Sequence, residues 1–243
     1  MSARFEEIDR QPTPMGEISL RRRIEPSLHV DVYEVKLGDE FLMSSLFTVT
    51  EIALAVLSLT ELAAEFPDTG LDITVGGLGL GFTANAVLED PLVRSLHVVD
   101  ALGEVIDWHS RLLLPLSAAL TSDPRCDLVH GDFFEMVATG AGFGAHTPDR
   151  YHGVFVDIDH TPHHHLHPSH ASFYTREGLT RLAAFLHPGG VFGLWSDDPP
   201  DVDFVHVVEE VFASCEAHTV TFPNFYTEGE SSSTVYVARL ART

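Results

Sequence analysis

Cysteine is scarce. Cys126 and Cys215 are the only two in 243 residues, with no CxxC spacing, which excludes a disulfide framework. Both thiols are expected to pack as small apolar groups. Positive charge is scarce too: Lys and Arg total 14 against 36 Asp and Glu, a formal net charge of −22. Such a field repels phosphate backbones and anionic lipid heads, so neither nucleic acid nor a membrane surface is an expected partner. What it supplies is solubility and attraction for a cationic ligand. Long apolar runs are missing: no stretch approaches the roughly 20 residues that span a bilayer. Met1–Arg10 is charged and has no apolar signal core, so the expected location is intracellular and cytoplasmic. At 44% hydrophobic and 21% charged, the composition is that of a folded chain with a substantial core, one large domain with at most a small appendage.

Residues 1–46 differ from the rest. They hold the basic run Arg21-Arg22-Arg23 and alternating stretches such as Leu28-His29-Val30-Asp31-Val32-Tyr33-Glu34-Val35. Such alternation predicts half-buried antiparallel strands, a β appendage ahead of a main domain over 47–243. Thr48 stands three residues before Glu51, the spacing of a capping box, and a helix is expected from there to Phe66, stopped by Pro67. Strands are then expected at 71–76, 94–100, 126–130, 151–157 and 190–195, with helices near 82–89, 103–119, 132–138 and 173–186. That alternation predicts an α/β fold, a Rossmann-like, doubly wound, mostly parallel sheet. A helix near 202–213 and strands at 217–222 and 234–240 close it with an antiparallel hairpin, for seven strands in all.

The loop after the first core strand reads Val75-Gly76-Gly77-Leu78-Gly79-Leu80-Gly81. Glycines let the backbone turn tightly and approach a ligand, though a purely structural turn has the same look. The next strand ends at Asp100, about 20 residues further on, the spacing of a carboxylate that accepts from ribose hydroxyls. The third ends Gly131-Asp132-Phe133. Asp132 there can meet an adenine amino group, with Phe133 against the ring, or can cap the following helix; one residue can do both.

Several segments together resemble spermidine synthases. Asp123-Pro124-Arg125 followed by Gly131-Asp132-Phe133-Phe134-Glu135 is similar to their "DPR…GD..EF", and Asp100 with Glu104-Val105-Ile106 to their acidic strand end and "EVI". Tyr151-His152-Gly153-Val154-Phe155-Val156-Asp157 resembles "YDVIIVD", Phe173-Tyr174 and Leu186-His187-Pro188-Gly189-Gly190 resemble "FY…LKPGG", and Thr13-Pro14 matches an N-terminal "TP". The resemblance runs in register over roughly residues 70–195. It implies the class I S-adenosylmethionine-dependent methyltransferase fold, with S-adenosylmethionine or its decarboxylated form as donor. Gly77, Gly79 and Gly81 would then face the donor, Asp100 its ribose and Asp132 its adenine. A homodimer is the implied assembly.

The departures from that pattern fall at amine recognition. Leu80 occupies the place of the Asp in "GGGDGG" that holds the donor's amino-bearing tail, and leucine accepts no hydrogen bond. The "YHEM" stretch becomes Val49-Thr50-Glu51-Ile52, where capping already accounts for Glu51. The loop "DSSDP" becomes Asp157-Ile158-Asp159-His160-Thr161-Pro162. Asp157, Asp159 and His160 are the candidate catalytic residues. Extended-chain alternation would point both carboxylates the same way, to hold a cationic acceptor or to act as a base, as His160 also could. The alternative is that Asp159 and His160 make turn hydrogen bonds. Six of the 15 histidines lie between His160 and His170; His163, His165 and His167 are the candidates for a metal, but the spacing names none. Trp195 and Asp197 either wall an acceptor pocket or serve core and turn. Three readings follow: a methyltransferase acting on a small molecule, which the departures favour, an aminopropyltransferase, and a non-catalytic metal- or ligand-binding protein.

Overall fold

A computed structural model describes residues 5–144 and 147–242; Met1–Arg4 of the charged N-terminal stretch lie outside the described residues. Strands β1 (Phe5–Thr13), β2 (Gly16–Glu25), β3 (Val30–Leu37) and β4 (Glu40–Ser44) form an antiparallel sheet in sequence order. Helix α1 (Val49–Glu65) leads into the main sheet, built from β5 (Leu71–Gly76), β6 (Val93–Asp100), β7 (Cys126–His130), β8 (Tyr151–Val156), β9 (Leu186–Ser196), β10 (Ser214–Asn224) and β11 (Gly229–Arg239). Its order is β10-β11-β9-β8-β5-β6-β7. Strands β5 to β9 run parallel, and β11 lies antiparallel between β9 and β10. The seven-stranded, doubly wound sheet and the N-terminal β sheet are as expected.

Helices α2 (Phe82–Leu88), α3 (Gly103–Ser110), α4 (Ser117–Ser122), α5 (Phe133–Thr139), α6 (Arg176–Ala183) and α7 (Val202–Glu209) fill the connections. The sheet buries both faces because its strands alternate. On β8, Phe155 joins the core under α1 and α2 with Leu54, Ile73 and Val75, while Val154 and Val156 join the opposite core with Phe173, Phe192 and Phe204. Ile18, Leu20 and Val35 of the N-terminal sheet belong to the first of these cores. Among the described residues no helix is long and apolar enough to cross a membrane.

Two expected elements differ. The helix foreseen over 103–119 is broken into α3 and α4, because Leu112 adopts φ 58° and Pro115 disfavours helical geometry in the residue before it. The helix foreseen over 173–186 is shortened to α6, preceded by a 3₁₀ turn at Pro168–Ser172; Thr175 caps the first turn of α6 through Gly178 N–H.

Candidate active site

The sheet order reverses between β5 and β8, and both strands end at that crevice, where open α/β sheets take their ligands. The ends are tied together: Asp157 N–H donates to Gly76 O at 2.8 Å and Gly77 N–H to Val99 O at 2.8 Å. The loop after β5 needs its glycines. Gly77 has φ 98°, and a Cβ there would lie 2.0 Å from the Asp157 carbonyl oxygen; at Gly79, φ 47°, it would lie 2.8 Å from Met43 Sδ. Gly81, at the start of α2, turns instead toward Leu120 and His109.

Two cavities flank this crevice. One, of about 360 Å³, is bordered by Asp100, Asp132, Leu102, Phe134 and Ile158, with Pro14 and Met15 of the β1–β2 turn above it. The other, of about 410 Å³, is bordered by Glu51, Asp157, Trp195, Asp197 and Phe47, with Leu80 and Gly81 in its wall. Gly77, Gly79, Met43 and Asp157 border both, so the two cavities share a wall at the end of β8.

In the first cavity Asp100 Oδ2 accepts from Leu78 N–H at 3.0 Å and Gly79 N–H at 3.4 Å, and Oδ1 from Leu102 N–H at 2.8 Å. The carboxylate thus braces the glycine loop, and Oδ1 keeps a free lone pair for a ligand hydroxyl. Burial pushes its pKa up, against those three donors. Asp132 caps α5 through Oδ1, which accepts from Phe134 and Glu135 N–H, leaving Oδ2 without a partner among the described residues. Phe133 borders the cavity, but its ring stacks on Phe143 at 5.1 Å and crowds Gly76. It is a packed wall rather than a free platform for a base.

In the second cavity two carboxylates compete. Burial pushes Asp157 up to about 6, opposed by the Thr83 hydroxyl that donates to Oδ2 at 2.7 Å. Burial first, and repulsion from Asp157 second, push Glu51 up to about 8. Thr50 Oγ1 donates to Glu51 Oε2 at 3.1 Å and accepts from Trp195 Nε1–H at 2.9 Å. Glu51 therefore does not close a capping box: Thr48 is at the N-cap but makes no side-chain cap bond.

No protein-family model matches the chain. Relatives and solved structures do. The chain is 29% identical over 149 residues to putrescine N-methyltransferase 3 of Nicotiana tabacum, covering 59% of this chain and 34% of the relative. It is 26% identical over 158 residues to the polyamine aminopropyltransferase of Bacillus subtilis (strain 168), covering 63% and 52%. The crystal structure of spermidine synthase from Thermotoga maritima superposes on 98% of this chain and 74% of its own, with TM-score 0.70 and 16% identity. The chain thus has the fold of the spermidine synthases and resembles putrescine N-methyltransferases and a polyamine aminopropyltransferase in sequence. It spans about a third of the length of the first of these relatives and about half that of the second.

The remaining candidate residues are dispersed. Asp159 does not point with Asp157: β8 ends at Val156, the chain turns, and Asp159 is buried. Its carboxylate accepts from Leu166 N–H, His170 Nδ1 and Tyr174 O–H at 2.7, 2.8 and 2.9 Å, and it borders neither cavity. This corrects the expectation that both carboxylates point the same way. His160 borders the second cavity and pairs with Glu40 at 3.2 Å. His163 pairs with Asp201 at 2.6 Å, His165 donates to Pro162 O at 2.7 Å, and His167 meets Ser169 Oγ at 2.7 Å. Among the described residues no group of three His, Cys, Asp or Glu is arranged to hold a metal. Burial pushes the Cys126 and Cys215 thiols up to about 12.

Behind Phe47, which borders the second cavity, distant segments join. Tyr226, in the β10–β11 turn, donates to Glu25 Oε2 at 2.7 Å and accepts from Arg23 at 2.8 Å, while Phe47 stacks on Phe225 at 5.1 Å. Sequence reasoning missed Glu51, whose signal was present as the surviving Glu of the "YHEM" comparison. It had no means of finding the contact of Tyr226 with the N-terminal sheet, which depends on pairing across the whole chain.

Proposed function

We propose that the chain transfers a methyl group from S-adenosylmethionine to an amine nitrogen of a small cationic acceptor. The observation that carries this is the wall shared by the two cavities, where Asp157 lies between an adenosine-sized lobe and an acidic lobe. The first lobe fits the donor: Asp132 Oδ2 is available to an adenine amino group, Asp100 Oδ1 retains a lone pair for a ribose hydroxyl, and the glycine loop has no side chain where a ligand would approach. When bound, the donor supplies a methyl group already activated on sulfonium sulfur, so the protein's task is alignment and proton removal.

In the acidic lobe, burial and repulsion leave the Glu51–Asp157 pair sharing one proton near neutral pH, with one negative charge between them. Asp157 accepts a hydrogen bond from the acceptor's ammonium group and then takes its proton, freeing the nitrogen lone pair. The N–C bond forms as the C–S bond breaks; the electron pair stays on sulfur, and the proton rests on Asp157. Asp197 adds negative potential, and Trp195 and Phe47 wall the lobe against water.

Leu80 supports methyl transfer over aminopropyl transfer, since a carboxylate at that place would hold the ammonium both donors carry but repel the carboxylate that only S-adenosylmethionine retains. The names of the tobacco relatives agree with this. The second reading, aminopropyl transfer, draws on the Bacillus relative and on the same acidic lobe. Calorimetry with S-adenosylmethionine, S-adenosylhomocysteine and decarboxylated S-adenosylmethionine, followed by a methylation assay on a panel of amines, tests both. Tighter binding of the decarboxylated donor would select the second reading, and no binding of any of the three would end both.

A further inference from the structure

The buried carboxylate of Asp159 borders neither cavity, yet it accepts three hydrogen bonds, and one of the groups it holds is His170. A carboxylate oxygen accepts, so Nδ1 of His170 carries the hydrogen in this 2.8 Å contact, and Nε2 of the neutral ring is an acceptor. Among the described residues Asp159 is the sole hydrogen-bond partner of the His170 ring. The ring lies 4.1 Å from that of Phe134, tilted by 31°, and borders the donor lobe together with Asp132. Asp132 is two residues before Phe134 and uses Oδ1 for the helix cap, leaving Oδ2. Two acceptors, from different elements and each fixed from behind, thus border the end of the lobe marked by Phe134.

We propose that His170 reads the purine: Nε2 accepts one hydrogen of an adenine 6-amino group while Asp132 Oδ2 accepts the other. The inference rests on the first lobe being the adenosine site. A 6-amino purine supplies the two donors that two acceptors require. A 6-oxo purine presents an acceptor to both and leaves them unpaired, so the pair selects 6-amino over 6-oxo nucleosides.

Calorimetry with S-adenosylhomocysteine and its hypoxanthine counterpart, S-inosylhomocysteine, measures the selection as a ratio of affinities. Wild-type protein should prefer the adenine ligand by roughly 100-fold. His170→Asn keeps a donor toward Asp159 and removes Nε2, whereas His170→Phe keeps a ring on Phe134. Each should weaken the adenine ligand by about tenfold, the worth of one hydrogen bond, and change the hypoxanthine ligand by less than about twofold, so the ratio falls about tenfold. A purely structural role for His170 would weaken both ligands alike and leave the ratio unchanged. Ratios within about twofold of wild type in both variants overturn the proposal while leaving the adenosine reading intact. Wild-type protein that binds neither ligand overturns the adenosine reading, and the proposal with it.

Discussion

Replacing Glu51 with Gln should alter how stability depends on pH. A glutamate ordinarily titrates near 4.5, and in the folded chain burial and Asp157 hold Glu51 at about 8. The folded state therefore binds this proton more tightly than the unfolded chain does, and between those two values unfolding releases it. The contribution is fully present below about 4.5 and is lost as pH rises through about 8. At about 1.4 kcal/mol per pH decade the interval is worth at most about 5 kcal/mol; the pair shares the effect, and water enters the open cavity, which brings the expected loss to roughly 2–3 kcal/mol. Glu51→Gln keeps the shape and the amide can still meet Thr50, but it has no proton to lose. Urea unfolding of both proteins at pH 5 and pH 9 gives four free energies, and the difference of differences isolates residue 51. The variant should gain roughly 2–3 kcal/mol on wild type between the two conditions. Stability profiles that stay parallel within about 0.5 kcal/mol would refute the buried-pair argument.

Three other substitutions separate the parts of the site. Asp157→Asn should leave S-adenosylhomocysteine affinity within about threefold by calorimetry and lower kcat by about 10²–10⁴, as expected for loss of a general base. Leu80→Asp restores an acceptor for an ammonium tail and repels the carboxylate that only S-adenosylmethionine retains, so it should raise the affinity for decarboxylated S-adenosylmethionine relative to S-adenosylmethionine by about tenfold; an unchanged ratio would remove Leu80 from donor selection. Gly77→Ala places a Cβ against the Asp157 carbonyl at a left-handed φ and should cost about 3 kcal/mol or more in chemical unfolding.

The main sheet was legible because its strands are short apolar runs between turn residues, and buried parallel strands require that pattern. Strands at Leu71–Gly76 and Cys126–His130 fall where the sequence placed them. Boundaries were lost where local and tertiary preferences conflict. The run Leu112-Leu113-Leu114 looks helical, but Leu112 leaves the helix ahead of Pro115. At the site, motif spacing located the loops but not the direction of their side chains. Asp159 was read by strand alternation past the end of β8, where alternation no longer applies. Glu51 satisfied a capping pattern so well that its other use was discounted, although the helix begins without that bond. Asp100 carries the strain of both errors in reverse: a residue expected to serve only a ligand also holds Leu78, Gly79 and Leu102.

The contact of Tyr226 with Arg23 and Glu25 joins residues 203 and 201 positions apart. During synthesis, the strand ends around the first cavity, through β8, emerge well before this tyrosine does. Every residue that borders the first cavity has been made by His170, whereas the second still awaits Ser231 and Ser233 of β11, so one chamber is complete long before the last strand enters the sheet and finishes the other.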